Sequence, residues 1–220
     1  MLAKELIKDT LPPLKTTDIA SRALSWMDEF RLHYMPLVED SNYLGLVSEV
    51  ELIGFDEPQQ TLGNLSLQLA TPCVNADQHI YECLKFVTSN KYELIPVVDD
   101  NNQYLGIITM KDLMESFAVM QSVQAPGGII VIEVNESDYS IAEISKIAES
   151  NGVRILNASV QRATEYSKLL VTLKLNVADL TRIEAAYNRY DYKVIATYHH
   201  SSQSSDLQNR YEGLMNYLNI

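Results

Sequence analysis

Three residues near the middle of the chain have the types and spacing to bind a small molecule. Thr109 ends an apolar run, and Lys111 and Asp112 follow it closely. A hydroxyl at the end of a strand can cap the next helix, whose free amides attract an anion. The Asp112 carboxylate can accept hydrogen bonds from two neighbouring hydroxyls, as in a ribose, and Lys111 adds a charge that could meet a phosphate. The segment therefore predicts the binding of a phosphorylated ribose compound.

Ser48 and Glu51 repeat this spacing earlier in the chain, and both segments also have a simpler interpretation. A Ser or Thr three residues before an acid is a common helix start, and Ser48 with Glu51 is a formal capping box. Glu51 stands where the later segment has Asp112, and its extra methylene displaces the carboxylate. The sequence leaves open whether there are two ligand sites, one site, or two helix starts.

The elements that must position these residues form a duplication. Residues 32–48 contain two short apolar runs separated by a polar turn, with a proline in the first run and a glycine in the second; residues 92–109 repeat this pattern. A further helix follows each copy, so helix, strand, strand, helix occurs twice and predicts two half-domains around a pseudo-twofold cleft. The preceding helices are indicated by apolar spacing at Leu24, Met27 and Phe30, and at Ile80, Cys83, Leu84 and Val87.

The repeated pattern resembles the CBS domain: apolar-Pro-apolar-apolar-acid, a polar turn, then Leu-Gly-apolar-apolar-Ser/Thr-x-x-acid. Its tandem occurrence resembles a CBS pair over residues 1–124, with one repeat at about 12–56 and the other at about 71–120. The resemblance implies a non-catalytic regulatory module that often binds AMP, ATP or S-adenosylmethionine in the cleft.

The resemblance also implies roles for individual residues. Asp112 would be the ribose ligand, with Thr109 and Lys111 near the phosphate. Backbone and apolar groups at 14–16, at 73–75 and at Met35 would line the base pocket, although ordinary core is the alternative for them. The full set of implied ligand residues is Thr109, Lys111, Asp112, Ser48, Glu51, Lys15, Met35 and Val74.

The second half has a different pattern. Strands are predicted at 129–134, 153–162, 168–175 and 192–198, with a helix after the first strand and another at 177–190. This order is the ferredoxin-like split βαβ unit, so the fold class of the whole chain is α+β. Residues 128–198 resemble the ACT domain, which implies regulation and edge-to-edge pairing into a homodimer. The loop at 135–140 lacks a Pro-Gly pair, which puts an amino-acid site in doubt.

A CBS pair followed by an ACT-like domain resembles the architecture of acetoin-utilisation regulatory proteins. The remaining residues, 199–220, form a tail with an expected amphipathic helix, whose apolar stripe is Leu207, Tyr211, Leu214, Met215 and Leu218. His199 and His200 begin this tail. No carboxylate or cysteine cluster accompanies them, so no metal is predicted.

The composition excludes several classes of protein. The 220 residues carry 29 acids against 17 bases, a net charge of −12. This balance disfavours nucleic acid and anionic membranes, because affinity for phosphates comes mainly from Lys and Arg. Two cysteines give no disulfide framework, and no apolar run approaches the ~18 residues of a membrane span. A cytoplasmic protein that binds neither nucleic acid nor membrane is expected.

The acidic excess lies mostly in the half that resembles a nucleotide-binding module. Residues 1–120 hold 18 acids and 8 bases, whereas residues 121–220 hold 11 and 9. AMP or another adenosine-containing ligand of low charge therefore fits better than a triphosphate. No catalytic constellation is evident, so an adenosine-binding sensor of an unidentified regulated protein is expected. The alternative is a structural or interaction scaffold whose ligand sites have degenerated.

Overall fold

The structure is a computed structural model that describes residues 1–8, 11–55, 58–90, 92–164 and 167–198. The chain divides into two compact units, Met1–Phe117 and Ala118–Ile220. The predicted tail helix, with His199 and His200, lies outside the described residues. Within the described residues no helix is long and apolar enough to cross a membrane.

The first unit contains the same five elements twice, as the duplication predicts. The first repeat consists of β1 (Leu14–Lys15), α1 (Ala20–Phe30), β2 (Tyr34–Glu39), β3 (Asn42–Ser48) and α2 (Glu49–Ile53). The second repeat consists of β4 (Val74–Asn75), α3 (Ile80–Ser89), β5 (Leu94–Val98), β6 (Tyr104–Thr109) and α4 (Met110–Met120).

Each repeat forms its own three-stranded sheet, in the orders β1-β2-β3 and β4-β5-β6. The predicted hairpins are confirmed as antiparallel pairs. The short strands β1 and β4 run parallel to β2 and β5 and were not predicted, because two residues are too few to show a period. Both sheets shift register at the same place, next to the pairs Leu37–Gly45 and Val97–Gly106. These register shifts mark a β-bulge in each sheet, so the duplication includes the position of the bulge.

The core of the first unit is apolar and includes residues from both repeats. Of the three residues predicted for the apolar face of α1, Met27 is buried and Leu24 is partly buried against the core, whereas Phe30 is not in the core. Small residues, Ala20 and Ala23, are buried instead, and Phe30 is 38% exposed. Alanine lets the helix approach the sheet closely, and Phe30 lies at the last helical position, where the chain leaves the core. The buried apolar cluster includes Leu14, Met35, Leu37, Val47, Leu52, Leu94 and Ile107.

The second unit is a four-stranded antiparallel sheet with the strand order β10-β7-β9-β8. It consists of β7 (Ile129–Asn135), α5 (Ile141–Ser150), β8 (Ile155–Arg162), β9 (Lys168–Leu175), α6 (Thr181–Arg189) and β10 (Lys193–Tyr198). This order confirms the predicted split βαβ unit. The helix α6 begins four residues later than predicted, since the Asp179 carboxylate accepts a hydrogen bond from the Thr181 amide at 3.0 Å.

Candidate functional site

The second repeat holds the one buried charged side chain among the described residues, Asp112, which is 6% exposed. The strand β6 ends at Thr109 and α4 begins at the next residue. The Thr109 hydroxyl accepts a hydrogen bond from the Asp112 amide at 3.1 Å and donates one to Asp112 Oδ2 at 2.5 Å. The predicted cap is therefore formed, and the same hydroxyl orients the carboxylate.

Lys8 is the second partner of Asp112, and sequence reasoning missed it. Its ammonium lies 2.8 Å from Asp112 Oδ1 and 2.8 Å from Glu115 Oε2. Burial by itself raises the pKa of Asp112, but the hydrogen bonds from Lys8 and Thr109 outweigh it, so the pKa falls below its ordinary value. Asp112 is therefore an ionised carboxylate with one partner on each oxygen. No local signal could have found Lys8, because 104 residues separate it from Asp112.

Lys111 stands at the edge of this cluster. Its ammonium lies 3.9 Å from Glu115 Oε1, and its side chain is 83% exposed. Glu115 therefore has Lys8 on one oxygen and Lys111 near the other. The first turns of α4 bring two ammonium groups and two carboxylates together, of which only Asp112 is buried.

Residues 1–8, here called the leading segment, cover the second repeat. Hydrogen bonds join the Ala3 amide to the Gln78 carbonyl at 2.8 Å and the Lys4 amide to the Ala76 carbonyl at 3.0 Å. Further along, the Ile7 side chain packs on Gly106: a Cβ built on that glycine would lie 2.5 Å from Ile7 Cγ2. The segment thus runs over β6 and ends at the Asp112 carboxylate.

The corresponding site of the first repeat is built differently. Ser48 precedes α2, but its hydroxyl makes no capping hydrogen bond, so the predicted capping box is wrong. Glu51 Oε1 instead accepts a hydrogen bond from the Gln68 amide at 2.6 Å. The reason is tertiary: residues 67–70, here called the connecting segment, lie against β3 and supply a donor to the carboxylate.

The connecting segment covers the first repeat as the leading segment covers the second. The Leu46 amide donates to the Ala70 carbonyl at 2.8 Å. A Cβ on Gly45 would lie 2.6 Å from the same carbonyl oxygen. Gly45 and Gly106 both have positive φ, +146° and +150°, which glycine tolerates best. Each candidate site is therefore closed by the stretch of chain that leads into the other repeat.

The three residues implied for a base pocket lie elsewhere. Met35 is 1% exposed and Val74 is 4% exposed, so both belong to the buried interior. Lys15 lines an open cleft of about 580 Å³ at the hairpin end of the first repeat. It pairs with Val38, whereas Ser48 pairs with Tyr34 at the other end of β2. The structure therefore does not bring Lys15 to Ser48 and Glu51.

Corresponding positions of the two repeats meet each other directly. His33 and Glu93, which correspond in the duplication, form an ion pair through His33 Nδ1, and His33 Nε2 lies 3.9 Å from Glu49. The hydrogen bond that His33 donates to the Glu93 carboxylate raises the pKa of His33 above its ordinary value. Tyr43 and Tyr104, also a corresponding pair, stack with their ring centroids 6.4 Å apart. The two repeats of the first unit are thus joined by both polar and aromatic contacts.

Comparison with known proteins finds a family match to part of the chain and several similar proteins. A family model described as the CBS domain matches residues 70–119. The chain is 22% identical over 192 residues to an inosine-5'-monophosphate dehydrogenase of Methanocaldococcus jannaschii; this covers 82% of the chain but only 38% of that enzyme.

Several solved structures are also similar. A CBS domain pair/ACT domain protein of Thermotoga maritima is 18% identical, with a TM-score of 0.49 over 54% of this chain and 98% of that one. A putative acetoin utilization protein of Vibrio cholerae is 19% identical, with a TM-score of 0.48 over 56% and 95%. CBSX2 of Arabidopsis thaliana in complex with AMP is 16% identical, with a TM-score of 0.46 over 54% and 96%.

The family match covers the repeat that contains Thr109 and Asp112. The first repeat has the same strand order, the same registers and the same glycine position. The CBS family model thus matches the second repeat, and the first repeat shares the architecture of the matched region.

Proposed function

We propose that the protein is a non-catalytic regulatory module that binds an adenosine nucleotide of low charge, such as AMP, at Asp112. The observation that carries the proposal is the buried, ionised carboxylate of Asp112 at the first turn of α4, inside a CBS domain. An ionised carboxylate is an acceptor only, and it suits the paired hydroxyls of a ribose. Binding would shift the balance between arrangements of the two repeats and so signal to a regulated protein.

The charges around the carboxylate support a ligand with a phosphate. Lys8 and Lys111 both lie beside Glu115, so two ammonium groups are close to the start of α4. The residues up to Met120 nevertheless carry most of the acidic excess. A monophosphate can use two ammonium groups without bringing several negative charges into this field, which is why AMP is favoured over ATP.

Isothermal titration calorimetry with AMP, ADP, ATP and S-adenosylmethionine tests the proposal. We expect one AMP per chain, with Asp112→Ala weakening AMP binding roughly 10- to 100-fold, because hydrogen bonds to a charged group are lost. The matched control is Glu51→Ala, at the corresponding position of the first repeat, which we expect to leave AMP affinity unchanged. Absence of heat for every nucleotide, in the wild type and in Lys8→Met alike, would overturn the proposal.

A second candidate function is a scaffold with closed ligand sites. The observation in its favour is that the chain itself occupies both candidate carboxylates, through Lys8 at Asp112 and the Gln68 amide at Glu51. A scaffold predicts that no variant gains nucleotide binding. The calorimetric series therefore separates the two functions.

We further propose that the second unit is an ACT domain that pairs two chains into a dimer. Support comes from its strand order, which leaves β8 and β10 as edges, and from the exposure of most of β8. Edge strands carry unpaired backbone groups that can extend a sheet into a second copy. We expect Val160→Lys in β8 to weaken the dimer in sedimentation velocity, whereas the matched change Ile195→Lys in β10 leaves it intact. A wild-type monomer at all concentrations would refute pairing.

A further inference from the structure

We propose that the end of the leading segment, Ile7 and Lys8, is an internal occupant of the Asp112 site that a nucleoside must displace. This inference rests on the proposed function, because it assigns to the ligand and to Lys8 the same carboxylate. The site would then have a closed state, with Lys8 on Asp112, and an open state that accepts the ligand. The leading segment would act as a competitor built into the chain.

The closed state uses the whole carboxylate. Asp112 Oδ2 accepts from Thr109 and Oδ1 accepts from Lys8 at 2.8 Å, which leaves the side chain 9% exposed. A pair of ribose hydroxyls needs both oxygens from the side that faces outward. The Thr109 bond is part of the helix cap and stays in place, so the Lys8 bond is the one that a ligand can replace.

Ile7 closes the space beside the carboxylate. Its Cγ2 atom lies 2.5 Å from the position that a Cβ of residue 106 would take, so the side chain packs directly on the backbone of β6. Gly106 precedes Thr109 by three residues, on the strand that leads into the site. A planar base or sugar that approached this strand would meet the Ile7 side chain first. Opening therefore requires both Ile7 and Lys8 to move.

The rest of the leading segment is anchored, which defines what can move. Ala3 and Leu6 are 0% and 2% exposed, and the Ala3 and Lys4 amides bond to the backbone before α3. In contrast, the Lys8 side chain is 47% exposed. Because half of the Lys8 side chain already faces solvent, its ammonium can leave Asp112 for water while residues 1–6 stay bound.

When the leading segment competes with a ligand, the apparent affinity equals the affinity of the open state multiplied by the fraction of molecules that are open. Removing the Lys8 charge should raise this fraction. The cleanest probe is adenosine, which has the ribose hydroxyls but no phosphate, so that Lys8 cannot contribute to its binding. We expect Lys8→Met to bind adenosine roughly five- to tenfold more tightly than the wild type.

The matched control is Lys4→Met, in the same segment, where the ammonium pairs with Asp77 at 2.6 Å and not with Asp112. We expect Lys4→Met to bind adenosine as the wild type does.

The outcomes distinguish the two proposals. Adenosine binding that is unchanged or weaker in Lys8→Met, in a protein that does bind AMP, overturns the competition and leaves the nucleotide site standing. Absence of binding to AMP and adenosine in the wild type, Lys8→Met and Ile7→Ala overturns both. Circular dichroism of each variant confirms that it is folded before the titration.

Discussion

The two candidate sites share their strands, their bulges and their glycines, yet they are closed by different chemistry. In the first repeat a backbone amide, that of Gln68, bonds to Glu51; in the second an ammonium group, that of Lys8, bonds to Asp112. Ser48 leaves its helix uncapped, whereas Thr109 caps α4 and holds the carboxylate. Duplication therefore preserved the framework while the two sites acquired different partners.

The difference in partners indicates which of the two sites can open. A backbone amide belongs to a segment that is itself part of the fold, since Leu46 bonds to the Ala70 carbonyl next to it. A lysine side chain can leave its partner by rotation about its own bonds, without any change in the backbone. The first site is therefore closed by backbone, and the second by the side chains of Ile7 and Lys8.

The largest loss of stability is expected at the two glycines that the connecting and leading segments contact, Gly45 and Gly106. Gly45→Ala and Gly106→Ala should each lose about 1–3 kcal/mol of unfolding free energy from the positive φ alone. Gly45→Ala should lose more, because its Cβ meets a backbone oxygen, whereas that of Gly106→Ala meets the Cγ2 methyl group of the Ile7 side chain. Urea unfolding followed by the fluorescence of Trp26, the only tryptophan, measures both.

A rescue experiment checks the reason for this difference. Ile7→Ala should restore part of the stability lost in Gly106→Ala, because it removes the methyl group nearest to the new Cβ. It should restore none of the stability lost in Gly45→Ala. Equal losses in the two glycine variants, or rescue of both, would contradict the distinction between the segments.

The helix caps should give the next largest effect. Thr109→Ala removes a formed cap and should cost about 1 kcal/mol of unfolding free energy. Ser48→Ala removes a hydroxyl that caps nothing and should change stability very little. Thr109→Ser keeps the hydroxyl and serves as the control. If Ser48→Ala proved as costly as Thr109→Ala, the two helix starts would be equivalent after all.

The wild type and Lys8→Met should differ in the pH at which acid unfolds them. The folded pKa of Asp112 is lowered, so its ionised form contributes stability above the ordinary value of 3.8, and this contribution is lost as the pH falls through the lowered pKa. Without Lys8, the folded pKa of Asp112 is lowered less, so the ionised carboxylate contributes less stability above the ordinary value. Acid unfolding of Lys8→Met should therefore have its midpoint at a higher pH.

Lys4→Met is the control for this measurement, because Lys4 belongs to the same segment and pairs with Asp77. Its acid midpoint should stay closer to that of the wild type. An identical midpoint in wild type and Lys8→Met would mean that the ion pair does not hold Asp112 ionised.

The smallest effect on stability is expected at the exposed ion pair between His33 and Glu93, which joins the two repeats. The pKa of His33 is raised by Glu93, so the pair stabilises the fold fully below about 6.5, and the contribution is lost as the pH rises through the raised pKa. In an NMR titration, Glu93→Gln should return the His33 pKa toward its ordinary value. Glu49→Gln should lower it less, because that carboxylate lies 3.9 Å away. A larger shift in Glu49→Gln would reverse this assignment.

Much of the fold could be predicted because its signals are local. Short apolar runs and the polar turns between them located the hairpins at Pro36 and Pro96, and the order of strands and helices predicted the split βαβ unit of residues 128–198. The start of α4 was also predictable, since Thr109 and Asp112 are only three residues apart and make their contacts within one helical turn.

The predictions that differ from the structure concern residues that depend on distant chain. Ser48 and Glu51 have the spacing of a capping box, but Gln68 takes the Glu51 carboxylate. The buried face of α1 is set by Ala20 and Ala23 and not by Phe30, since close packing against the sheet favours small side chains there. Local patterns could not contain either fact.

The sequence by itself determined the duplication, the two hairpins with their glycines, and the position of a capped carboxylate at residue 112. Each of these follows from residues that are close in sequence, where periodicity and turn chemistry act. Only the tertiary structure decided that Lys8 occupies that carboxylate and that each repeat is covered by the segment leading into the other. Such pairings join residues up to 104 positions apart, and they depend on how the chain closes on itself.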